Sequence, residues 1–150
     1  MRFVAVIAVI GLLHVPFASA ANLDDKILDA QQLAALQTRA AEASPKEQCY
    51  LYAELVHSMT ELANIQMKQG EDAQASASLL LARNYASKIQ MDLLGDAKKL
   101  KNAEILIRHT AFRMKELMMG ASLDDRPTME ATIQQLNLVE SKMMLQVFKK

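Results

Sequence analysis

"KQGEDAQASASLLLARNYA", residues 68–86, decides how this chain is read. A glycine, free to take the left-handed backbone of a tight corner, separates two stretches of helix-favouring residues. After it, Ala75, Leu79, Ala82 and Ala86 follow at steps of three or four, the spacing of one buried helical stripe. The stretch is therefore a corner between two helices that approach closely, since alanine at the contact keeps the axes near each other.

Working outward, similar punctuation recurs. Pro45, Gly70, Gly95 and Gly120 are evenly spaced, with Pro127 following, and no run of alternating β-branched residues lies between them. The fold class is all-α, a helical bundle or hairpin architecture of four to five helices without a sheet. A first helix is expected over Leu23–Ala43, with Asp24 and Asp25 at its positive end. Rich in alanine and poor in large side chains, it should dock weakly. Ser44 and Pro45 restart the chain as N-cap and first helical residue, and the second helix runs to about Gln69. Its apolar stripe is Leu51, Leu55, Met59, Leu62 and Gln66. The opposite stripe of Glu54, His57, Glu61, Asn64 and Lys68 reads as a solvated face.

From Glu71 the apolar series continues through Ile89, Leu93, Ala97, Leu100, Ala103, Ile107, Ala111, Met114 and Met118 without losing phase at Gly95. Lys98 and Lys99 would also carry the wrong sign for a helix newly begun at Asp96. The expectation is one long third helix, about 71–119, bent at Gly95, with a tight break there as the rival. A last helix starts near Asp124, Asp125 and Pro127 and buries Ile133, Leu136, Val139, Met143 and Val147.

Residues 56–86 resemble one tetratricopeptide hairpin. Met59, Leu62 and Ala63 match the first helix of that repeat, Gly70 the turn, and Ala75, Leu79 and Ala82 the second helix. Gln66 replaces the usual tyrosine and Ser87 the closing proline. A shift of 34 residues places Asp96, Glu104 and His109 at the leucine, glycine and alanine positions, so the pattern does not recur. Repeat arrays need about three units to close a core, so the resemblance implies a hairpin and not a peptide-binding array. More widely, "CYLYAELVHSMTELA", "LKNAEILIRHTAFRMKEL" and "DRPTMEATIQQLNLVE" are similar to an uncharacterised group of exported bacterial helical proteins, which implies export and helicity and no particular site.

Export is also legible in the residues. Arg2, an apolar run from Phe3 to Val15, Pro16 and Ala18-Ser19-Ala20 form a signal peptide over 1–20, cut after Ala20. Residues 21–150 then form a single helical domain, periplasmic or secreted, with no stable membrane anchor after cleavage. Removal of Arg2 leaves sixteen basic against seventeen acidic side chains, which gives no field for nucleic acid. Lys98, Lys99, Lys101, Arg108, Arg113 and Lys115 make a mildly basic helix surface.

Chemical signatures are sparse. Nucleophile elbows, zinc-protease motifs, phosphate loops and paired-cysteine sites are absent from the sequence. Cys49 is the only cysteine; it is either buried as a small apolar residue, which its neighbours favour, or forms an intermolecular disulfide. Glu54 and His57 make a Glu-x-x-His of the kind that di-iron bundles use twice. His109 could supply a second imidazole, but Leu106 stands three residues before it. Glu54, His57 and His109 are thus the metal candidates. Met114, Met118, Met119, Met143 and Met144 could converge on Cu(I), and otherwise fill core gaps. His109 itself reads first as a partly buried, hydrogen-bonded residue, and Tyr50, Tyr52 and Tyr85 as packing residues. No cofactor is expected. The first functional reading is an exported helical protein that acts through protein–protein interaction or self-assembly; the alternative is a metal- or haem-binding bundle of the cell envelope.

Overall fold

The computed structural model describes residues 27–89 and 97–149. Five α-helices are present there: α1 (Ala30–Glu42), α2 (Pro45–Lys68), α3 (Asp72–Lys88), α4 (Ala97–Met119) and α5 (Arg126–Val147). Among the described residues there is no strand, as the absence of alternating patterns requires.

Local sequence accounts for most boundaries. The Asp29 carboxylate accepts from Gln32 N at 2.8 Å while the Gln32 amide oxygen accepts from Asp29 N at 3.1 Å. This reciprocal cap starts α1 at Ala30, later than the expected Leu23, because it satisfies donors that the first helical turn leaves open; Asp24 and Asp25 lie outside the described residues. Pro45 opens α2 as expected. Gly70 stands at φ +75° between α2 and α3, a backbone conformation that costs any side chain with a Cβ. Ser122 and Asp125 exchange two contacts, 2.6 and 3.1 Å, just before α5.

The long third helix does not form. Its first part ends at Lys88, followed by Ile89 in extended conformation (φ −63°, ψ 111°); Gly95 lies outside the described residues, and α4 begins at Ala97. The reason is directional. Ser78 donates to Gln66 at 2.7 Å, which places α3 antiparallel to α2 across the Gly70 corner. Lys99 pairs with Glu47 at 3.0 Å and Arg113 with Glu61 at 3.3 Å, so α4 runs parallel to α2. One straight helix cannot do both. The unbroken apolar phase arises because each helix needs a core stripe of the same period.

α5 folds back on α4, and Arg83 and Gln135 join α3 to α5 through bonds of 3.0 and 2.9 Å. Around the bundle the order is α2, α3, α5, α4; α3 lies diagonally opposite α4, and α2 opposite α5. The architecture is two helix hairpins laid side by side and pointing the same way, with α1 added on α2. A single core crosses all four hairpin helices through Ala53, Val56, Leu79, Ile107, Leu136 and Met143. A second cluster joins Leu33 and Ala40 of α1 to Leu51, Leu55 and Met59 of α2 and Ala82 of α3. Only Leu33 and Ala40 of the thirteen residues in α1 are fully buried.

Candidate functional site

The polar stripe of α2 is not a solvated face. Because α4 lies parallel beside it, His57 and Glu61 are buried, and the stripe becomes half of an interhelical seam. Residues facing across the seam differ by about the same number: Glu47 with Lys99, His57 with His109, Glu61 with Arg113.

At the centre of the seam the two imidazoles lie with ring centroids 5.7 Å apart, tilted by 45°. His57 Nδ1 is 3.0 Å from Thr110 Oγ1. The Thr110 hydroxyl donates to the Leu106 carbonyl at 2.8 Å, and the Thr60 hydroxyl donates to the His57 carbonyl at 2.8 Å. Each threonine thus uses its hydroxyl inside its own helix, and Thr110 then holds the neighbouring ring. One turn further, Arg113 Nε and Nη2 each lie 3.3 Å from a Glu61 oxygen, a two-pronged pair that neutralises the buried carboxylate.

Past this pair the seam opens. Asn64 and Lys68 continue the α2 stripe into a cavity of about 400 Å³ between the two hairpin corners, lined also by Asp72, Glu116, Ser122 and Asp125 and by the apolar Met67, Leu117 and Met129. Its position follows from the fold: small or turn-forming residues at both corners leave room where the helices end.

The remaining candidates fall elsewhere. Glu54 turns toward α1, where Arg39 lies 3.3 Å away, so Glu54 and His57 do not act together despite their three-residue spacing. Burial raises the Glu54 carboxyl above its ordinary range, against the opposing pull of Arg39 and a hydrogen bond from Tyr50. Cys49 is inside, and burial pushes its thiol up to about 11, leaving it protonated and unreactive at neutral pH. Burial places its sulfur out of reach of a second chain unless α2 opens. Met114 and Met143 share the main core, with Met118 packed against it, while Met119 and Met144 are exposed, so the five methionines are split between interior and surface. Tyr52 and Tyr85 stack at 6.1 Å with the Lys88 ammonium 5.9 and 5.6 Å from their centres, a packing role with a cation–π contact.

Of the six basic residues of α4, Lys99 meets Glu47, Arg108 meets Glu104 and Arg113 meets Glu61. Glu104 is a residue whose place the sequence did not reveal. It is buried between α4 and α5, and burial raises its carboxyl; Arg108 opposes this, and Glu140, charged and hydrogen-bonded to it, adds to it.

The chain matches no known protein family, no curated protein and no solved structure. Among the described residues no helix is long and apolar enough to cross a membrane, and no three of His, Cys, Asp and Glu gather as a metal-ligand set.

Proposed function

We propose that this is an exported helical protein that works by binding a further helix, supplied by a partner protein or by a second copy of itself. The observation supporting this is an asymmetry of coverage. α2 is enclosed by α1, α3 and α4, whereas α4 and α5 have two helical neighbours each. Their uncovered sides carry Phe112 and Met119 on α4, and Leu138 and Leu145 on α5, all more than half exposed. Each pair is seven residues apart, so its members lie on one stripe of their helix. Large apolar side chains aligned in this way suit an amphipathic helix laid along them. Export rests on the leader-like residues 1–20, which lie outside the described residues.

The test is the mass of the protein recovered from its own exported fraction under native conditions, compared with a Leu138→Gln/Leu145→Gln variant and a Phe112→Gln/Met119→Gln variant. Expected are a chain beginning at Ala21, an assembly larger than one copy, and its loss in at least one variant that keeps its helical circular dichroism. A lone monomer in both wild type and variants, or a chain that retains Met1, would overturn the reading.

A further inference from the structure

We propose that the cavity at the two hairpin corners binds a small organic ammonium ion, a primary amine that carries an apolar group. This does not rest on the helix-binding reading, since Phe112, Met119, Leu138 and Leu145 do not line the cavity.

Asp125 is a buried carboxylate that the fold leaves half used. It is only 9% exposed, and it lines the cavity. Its Oδ2 accepts from the Ser122 hydroxyl at 2.6 Å, while Oδ1 receives no hydrogen bond among the described residues. Helix α5 begins directly after it, yet no side-chain cap bond is made at that start. Among the described residues no lysine or arginine pairs with it. A carboxylate so withdrawn from water is costly unless donors or a counter-charge meet it. The positive end of α5 supplies part of that compensation, and the second oxygen is left for a donor that enters the cavity.

The lining as a whole has the same sign. Asp72 from the first hairpin and Glu116 from the second join Asp125, with Lys68 as the one basic residue, which leaves the cavity a net charge of minus two. Asp72, Glu116 and Lys68 enter no ion pair among the described residues, so this charge is not cancelled in pairs. A concave site of one sign concentrates ions of the other. The ligand is therefore a cation.

The apolar part of the lining narrows the kind of cation. Met67, Leu117 and Met129 offer hydrocarbon and thioether surface, which a hydrated metal ion does not use and an alkyl group does. An ammonium with N–H donors also suits the open carboxylate oxygen. A quaternary ammonium has no such donor and is held by aromatic faces, and no aromatic residue lines this cavity. A volume of about 400 Å³ lies near the small end of ligand cavities, about 300–1,000 Å³, and fits one small molecule.

The probes are isopentylammonium, leucine, which has the same apolar body with an added carboxylate, and tetramethylammonium. Each is titrated into the intact protein while the methyl signals of Met67 and Met129 are followed by NMR. Expected are saturable movement of both signals with isopentylammonium, weaker binding of leucine, and no response to tetramethylammonium. Asp125→Asn should weaken isopentylammonium about tenfold or more. Lys68→Gln, at an exposed position, removes a like charge and should tighten it about two- to fivefold. Unmoved or unsaturable signals, leucine bound as tightly as the amine, or undiminished binding in Asp125→Asn would overturn the site. Should Asp125→Asn fail to fold, Lys68→Gln decides: no tightening there overturns the site as well.

Discussion

Two arginine–glutamate pairs tie α2 to its neighbours, and both measure 3.3 Å. Arg39 and Glu54 join it to α1, with side chains 65% and 31% exposed; Arg113 and Glu61 join it to α4, with side chains 29% and 6% exposed. At equal distance the two differ in how much water each has lost. On the α1 side solvent screens the attraction and both partners are nearly as well off apart. On the α4 side the Glu61 carboxylate has given up its hydration and depends on the guanidinium that faces it. A distance alone therefore says little about which helix contact is strong. α4 is held to the bundle by eight buried residues, α1 by two.

The contrast can be broken most severely at Arg113. Arg113→Ala leaves a buried carboxylate without its guanidinium, and a loss of about 3 kcal/mol is expected in urea unfolding. Replacing both members, Glu61→Leu with Arg113→Met, should recover most of that loss, since a buried pair exchanged for apolar groups of similar size is often close to neutral. If the double variant is as unstable as the single one, the seam needs the ion pair for its geometry and not only for charge balance.

A smaller effect of opposite sign is expected at Glu104. Its folded carboxyl is raised above the ordinary value, chiefly by burial. Between the ordinary and the raised value the folded state holds a proton that the unfolded chain has released. This contribution to stability is therefore fully present below the ordinary carboxylate range and is lost as pH rises through the folded value. Glu104→Gln keeps a hydrogen bond to Glu140 and removes the buried charge, at the cost of the exposed Arg108 pair. It should gain up to about 1 kcal/mol at neutral pH, and the gain should vanish in acid. A pH-independent difference between variant and wild type would separate the effect from ionisation.

The smallest change sharpens the opening contrast. Arg39→Ala should cost under about 1 kcal/mol, and that cost should fade at high salt, whereas the Arg113→Ala loss should be less sensitive to salt. Amide hydrogen exchange should then show α1 opening before the two hairpins do, because few of its residues are buried.

Much of the fold was legible in the residues. Pro45, Gly70 and the Asp124–Pro127 region end or start helices where expected, and Ile133, Leu136, Val139 and Met143 are buried on α5 as their spacing indicates. What the residues concealed was direction. The stripe from Leu79 to Met118 keeps its phase across two helices that run opposite ways along α2, and a local period carries no sign of that. The seam was concealed for the same cause. Glu54, His57 and Glu61 share one stripe, yet Glu54 meets α1 while His57 and Glu61 meet α4. A trace was present all the same: Glu47 and Lys99, His57 and His109, and Glu61 and Arg113 are each 52 residues apart, which becomes meaningful only once α2 and α4 are known to be parallel neighbours.

Helix content, most helix ends and the apolar positions belong to the sequence, because each depends on propensity, capping and turn chemistry within a few residues. The parallel pairing of α2 with α4, the burial of an imidazole and a carboxylate on a stripe that looks polar, and the cavity at the hairpin corners belong to the tertiary structure. These depend on which helix covers which face. That choice is made by the whole bundle as it closes over its core, and no single helix encodes it.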